Sequence, residues 1–158
     1  MGRESIEGEM SVIQIMQIDH ASVLITDVER SRSFYRDLLG LKEIAKPKTF
    51  DFVVLWFDLG DQQLHLLLKH QPDSRSPRHF ALRVKDVQTA RSYFRAKSVP
   101  VEETTPIPGA DRFFIYDPDG NRIEIIQWRE RYDPVASGAA ALDRGSARVE
   151  RANRDSGR

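Results

Sequence analysis

Three of the four histidines and one glutamate carry the first chemical signal in this chain. His20 and His79 lie 59 residues apart, and the same spacing separates His65 from Glu124. Imidazole nitrogens and carboxylate oxygens are the donors that hold borderline or hard divalent ions. No cysteine is present, so thiolate ligands and disulfides are excluded. A lone histidine on a strand is more often a hydrogen-bonded structural residue. Two pairs at one offset are different, because unrelated structural histidines have no reason to share a spacing. The fourth histidine, His70, has no counterpart at that spacing and reads as a surface residue.

The offset belongs to an internal repeat. Sliding the chain by 59 residues matches Asp27 with Asp86, Val28 with Val87, Arg32 with Arg91, Ser33 with Ser92 and Arg36 with Arg95. The match continues through Glu43 and Glu102, Pro47 and Pro106, and Asp58 and Asp117, with no gap required. Each copy reads βαβββ. In the first, alternation predicts a strand over Gln17–Thr26, and Asp27 is an N-cap for a helix over Val28–Leu39 that Gly40 ends. Strands follow near Lys42–Lys46, Phe52–Leu59 and Gln62–Leu68, with Gly60-Asp61 as a hairpin turn. In the second, a strand from His79 leads to Asp86 and a helix over Val87–Lys97. Strands then fall near Val101–Thr104, Arg112–Asp117 and Arg122–Trp128, the last two joined by the turn sequence DPDGN.

Strand alternation sets the direction of the candidate ligands. Ala21, Val23 and Ile25 leave His20 on the opposite face; Leu64 and Leu66 do the same for His65, and Ile123 and Ile125 for Glu124. His79 likewise opposes Phe80 and Leu82. The expected fold is therefore α+β: tandem βαβββ modules forming a curled mixed sheet around a central cavity, with helices outside. A pseudo-two-fold axis between the modules would gather His20, His65, His79 and Glu124 in that cavity as a site for one divalent metal ion. Arg83 and Arg122 share the cavity face, and Arg112 lies at the mouth of the last hairpin. All three are candidates to bind a substrate carboxylate or phosphate. For Arg83 and Arg122 the competing reading is an ion pair with an acidic neighbour. Trp56 and Trp128 read as packing residues, with the pocket lining or a dimer surface as the alternative.

The totals bound the setting. Of 158 residues, 24 are basic and 24 acidic, so no net charge favours nucleic acid or an anionic membrane as a partner. No apolar run approaches the roughly 20 residues that span a bilayer, and no signal peptide is recognisable; the expectation is a cytoplasmic protein. Residues 1–13 are expected to be a flexible N-terminus. The globular part should occupy residues 14–130, with modules of about 14–70 and 76–130. Residues 131–158, rich in Ala, Arg, Ser and Gly, are expected to form a flexible tail, with a short helix around Ala139–Val149 as an option.

The segment IDHASVLITDVERSRSFYRDLLGL, which opens the first module, and FFIYDPDGNRIEII, which closes the second, resemble the vicinal oxygen chelate superfamily. That group includes glyoxalase I, extradiol dioxygenases, methylmalonyl-CoA epimerase, fosfomycin-modifying thiol transferases and bleomycin-resistance proteins. The resemblance covers about residues 14–128. It implies His20, His65, His79 and Glu124 as ligands of one divalent ion (Zn, Ni, Mn, Fe or Co), Glu124 also being the catalytic residue. It implies a small-molecule substrate bound through vicinal oxygens, with lyase, isomerase or transferase chemistry, and a homodimer. If His65 stays unligated, the remaining two histidines and one carboxylate suit an iron-dependent extradiol-type dioxygenase. A metal-free binding protein of the resistance type is the third reading. The loop TTPIPGADR lacks the lysine and serines of fosfomycin transferases, which also carry a tyrosine at the position of Phe114. Glyoxalase I usually carries a carboxylate or glutamine at the position of His65.

Overall fold

Two aspartates set the helix starts, as the repeat predicts. The Asp27 carboxylate accepts from the Arg30 N–H at 2.9 Å, and Asp86 accepts from the Gln88 and Thr89 N–H groups. These bonds satisfy amide donors that have no partner within the first helical turn. The computed structural model describes residues 13–135. Residues 1–12, and the segment 136–158 that holds most of the expected tail and its optional helix, lie outside the described residues. The order of elements is β1 (His20–Ile25), α1 (Val28–Arg32) continuing into a π-helical segment (Ser33–Leu38), β2 (Lys42–Ile44), β3 (Val54–Asp58) and β4 (Gln63–Leu68). The second copy supplies β5 (His79–Arg83), α2 (Val87–Ala96), β6 (Glu102–Glu103), β7 (Ala110–Tyr116) and β8 (Arg122–Trp128).

The α+β architecture is present, built as two four-stranded mixed sheets ordered β1-β4-β3-β2 and β5-β8-β7-β6. In each, the first strand runs parallel to the last and the hairpins are antiparallel. Ile25, Leu55, Phe57, Leu64 and Leu66 from the first sheet pack with Phe113, Ile115, Ile123 and Ile125 from the second. Phe34, Tyr35, Val87 and Phe94 of the helical segments complete this core. Helices and apolar faces thus bury one another, leaving the opposite sheet faces for His20, His65, His79 and Glu124. β1 is shorter than expected at its N-terminal end. Its pairing with β4 begins at His20 with Gln63, and the turn at Gly60–Asp61 leaves residues 17–19 no further strand residue to pair with.

The ungapped repeat needs correction. Gly40 and Ser98 are the positive-φ residues that end the two helices (φ 71° and 58°), and they stand 58 residues apart rather than 59. Asp58 closes its hairpin opposite Gln63, whereas Tyr116 closes the other opposite Arg122, so Asp58 corresponds to Tyr116 and not to Asp117. Two single-residue insertions explain this. The π-helical segment adds one residue to the first module, which is what a π-bulge does. The DPDGN turn adds one to the second. They cancel, so the 59-residue spacing returns between β4 and β8.

That longer turn also fastens the modules together. Asp117 is buried and accepts from the Tyr35 hydroxyl at 2.7 Å, while its other oxygen accepts from the Asp119 and Asn121 N–H groups. The Asn121 side-chain amide donates to the Leu24 carbonyl at 2.7 Å. Asp119 accepts from Thr26 and from Arg30, whose guanidinium stands at 2.7 Å. Burial holds the Asp117 carboxyl above its ordinary pKa, against these donors, which pull it down.

Candidate metal centre

β8 brings Glu124 between Ala81 of β5 and Phe114 of β7. Its carboxylate is held from two sides. Arg112 donates from Nη1 to Oε1 at 2.9 Å, and His79 Nε2 lies 3.2 Å from Oε2. His79 Nδ1 lies 2.9 Å from the Pro77 carbonyl oxygen. A carbonyl only accepts, so Nδ1 carries a proton and Nε2 is the nitrogen turned toward Glu124. Nε2 and the carboxylate oxygen face each other across 3.2 Å in a site where Glu124 is 6% exposed. A proton on Nε2, giving an ion pair, or a cation held by both atoms would each fit that arrangement. A carbonyl holding the far nitrogen is also the usual way a metal-binding imidazole is oriented.

The other pair sits on the first sheet. His20 Nδ1 bonds Asp19 Oδ1 at 2.7 Å, leaving Nε2 free, and the side chain is about half exposed. His65 is buried between two rings, stacked on Trp56 (centroids 3.9 Å apart, planes 13° apart) and on His20 (4.3 Å, 24°). Its Nε2 is engaged with Gln63 Oε1 at 2.9 Å. Burial, and then the neighbouring His20, hold its pKa below the ordinary histidine value. His65 is thus a stacked, neutral ring with one nitrogen already committed.

The structure therefore brings His20 to His65 and His79 to Glu124. Among the described residues, no three or more histidine, aspartate or glutamate side chains gather as a metal-holding group. A cavity of about 230 Å3 separates the two sheet edges, lined by Ser22 and Leu24 of β1 and by His79, Arg78, Asn121 and Arg122. The three arginines have different fates. Arg112 props Glu124 and donates to the Thr105 carbonyl. The Arg122 guanidinium carbon stands over Phe114, 3.5 Å from the ring centroid, and Arg122 pairs at 2.8 Å with Glu102, which also accepts from the Tyr116 hydroxyl. Arg83 is exposed and flanks a groove with Trp128 and Tyr132, two rungs from Glu124 along the sheet.

Some of this was hidden in the sequence. Trp56 stacks on His65, a contact the sequence does not show because both faces of β3 are apolar and alternation is silent there. The Pro77 carbonyl carries no side-chain signature at all. Glu102, the partner of Arg122, sits on a strand of two residues, too short to show a period.

The sequence profile of the Glyoxalase/Bleomycin resistance protein/Dioxygenase superfamily matches residues 17–125. The chain belongs to this superfamily. Glyoxylase I 4 of Arabidopsis thaliana is 28% identical over 153 residues, covering 87% of this chain and 84% of that relative. A lactoylglutathione lyase of Haemophilus influenzae is 26% identical over 125 residues, covering 71% and 93%. The crystal structure of a putative glyoxalase family protein from Bacillus anthracis superposes with a TM-score of 0.69 at 28% identity, covering 73% of this chain and 98% of that one. The superfamily match spans both modules, from before β1 to within β8. No helix among the described residues is long and apolar enough to cross a membrane.

Proposed function

We propose that this superfamily member is a metal-dependent enzyme that binds a small substrate through two neighbouring oxygens, with His20, His79 and Glu124 as the protein ligands. The observation that carries the reading is the His79–Glu124 pair: an imidazole whose proton is held by Pro77, and a buried carboxylate braced by Arg112, present two lone-pair donors to one point. His20 offers a third donor of the same kind, its Nδ1 held by Asp19. His65, with Nε2 on Gln63, serves as the packing partner of His20. A bound divalent ion would supply Lewis-acid stabilisation of charge developing on the substrate oxygens. In this reading Glu124 would take and return a proton at the substrate carbon beside the chelating oxygens, with Arg112 holding its Oε1.

The two half-sites of one chain face a second copy in this reading, as a homodimer whose subunits each supply one half. Pseudo-symmetric modules suit such an exchange, because a two-fold axis can relate them across subunits as well as within one. With His65 committed to Gln63, the remaining set of two imidazoles and one carboxylate also fits non-haem iron, which gives the second reading, an oxygenase acting on a catechol.

Equilibrium dialysis of the purified protein against Mn, Ni, Zn, Co and Fe(II) tests the proposal. One ion per chain is expected, with binding lost in His79→Ala and Glu124→Ala. Oxygen uptake with catechols by the iron-loaded protein would select the second reading. Protein that takes up none of these ions under replete conditions would point to a metal-free binding role instead.

A further inference from the structure

We infer that the groove formed by Arg83, Trp128, Arg129, Arg131 and Tyr132 binds a small organic phosphate, a doubly charged oxyanion carried on a flat ring. Neither His20 nor a metal ion enters this inference, so it stands or falls apart from the metal-centre reading. The groove has a volume of about 610 Å3, a size typical of small-molecule sites. It lies at the C-terminal ends of β5 and β8. Arg83 follows His79 and Ala81 on one face of β5, and Ala81 pairs with Glu124. A ligand seated in the groove therefore lies on the sheet face that carries Glu124.

The charge balance of the second module singles the groove out. Arg91 and Arg95 pair with Glu103, and Arg91 also with Asp111; Arg112 pairs with Glu124 and Arg122 with Glu102. An arginine so engaged must give up an ion pair before it can bind a ligand. Arg83, Arg129 and Arg131 differ: their guanidinium groups have no hydrogen bond or acidic partner among the described residues, and all three are exposed. All three line this groove. Its one acid is Glu130, whose side chain is folded against Gly109. Nearby Asp111 and Asp133 are engaged elsewhere, with Arg91 and with the Val135 N–H. Three cations against one carboxylate leave an excess of two positive charges in the lining. A phosphate monoester carries about −1.5 to −2 at neutral pH and matches that excess, whereas a carboxylate carries half of it. The planar fork of arginine also suits phosphate oxygens. The ring has its own receptor: Trp128 and Tyr132 meet edge-on with centroids 6.0 Å apart, and Tyr132 is 46% exposed. A further ring can join such a pair in offset or edge-on contact.

Titration calorimetry of the full-length protein with phenyl phosphate, inorganic phosphate, benzoate and benzyl alcohol tests this. Phenyl phosphate is expected to bind most tightly, and its affinity should fall severalfold as added salt screens the arginines. Arg83→Gln and Arg131→Gln, both exposed substitutions, should each raise its Kd by about three- to tenfold. Trp128→Leu should weaken phenyl phosphate and leave inorganic phosphate unchanged. Arg95→Gln, which removes a cation already paired with Glu103, should alter neither. Benzyl alcohol or benzoate binding as tightly as phenyl phosphate overturns the inference, as does a Kd that survives both Arg83→Gln and Arg131→Gln. So does failure of phenyl phosphate to bind, the result expected if residues 136–158 or a second copy fill the groove. None of these results bears on metal uptake, which is measured separately.

Discussion

Arg112 shows how a single residue can set the chemistry of its neighbour. It grips one oxygen of Glu124 and anchors itself on the Thr105 carbonyl, so the other carboxylate oxygen stays aimed at His79. Arg112→Ala should therefore weaken metal binding by about 10- to 100-fold, the usual cost of losing a group that orients a ligand. Manganese titration by calorimetry reads this directly, and an unchanged affinity would contradict it. Tyr35 plays a comparable part for Asp117. It is fully buried, and Tyr35→Phe leaves a buried carboxylate oxygen short of a donor at a cost of about 1–2 kcal/mol, measurable by urea denaturation. At this scale the four ligand-type residues were legible because a repeated spacing singles them out. The engagement of Arg122 with Glu102 was not, since it depends on register across β6, β7 and β8.

The elements were legible wherever one face is apolar and the other polar. β8 falls where alternation placed it, and both helices begin at their aspartate caps. β3, apolar on both faces, shows neither its true start nor the direction of Trp56. The π-helical turn was also invisible, because one added residue in the first module is hidden by one added residue in the second. It is betrayed by the C-terminal caps. Gly40 takes positive φ without strain, whereas Ser98 does so against the usual preference of an L-residue. Ser98→Gly should consequently stabilise the protein by about 0.5–1 kcal/mol, combining relief of the left-handed conformation with the entropy cost of glycine. A lower urea midpoint for the variant would show that the left-handed turn carries no such cost.

The DPDGN turn clasps the two modules beside their shared core, and this clasp has a pH signature. Burial raises the Asp117 pKa in the fold above the ordinary value of 3.8. Between those two values the folded state binds more protons than the unfolded one, so this group contributes stability at low pH that is lost as pH rises through the folded pKa. Asp117→Asn removes the contribution. The stability of wild type relative to the variant should grow as pH falls from 7 toward 4, read from paired urea curves; a constant or shrinking difference contradicts the assignment. The fold at this scale could be inferred from two copies of one pattern. The meeting of the half-sites could not, because periodicity within a module says nothing about which module, or which subunit, stands opposite. That question is also where the functional account is most exposed. Mixing His20→Ala with Glu124→Ala under conditions of subunit exchange, then measuring bound metal, addresses it. If each centre joins His20 of one subunit to His79 and Glu124 of another, half the dimers regain one intact centre, and the mixture binds about a quarter of the wild-type metal. If the mixture binds no more metal than either variant alone, the site is not shared between subunits and the account fails.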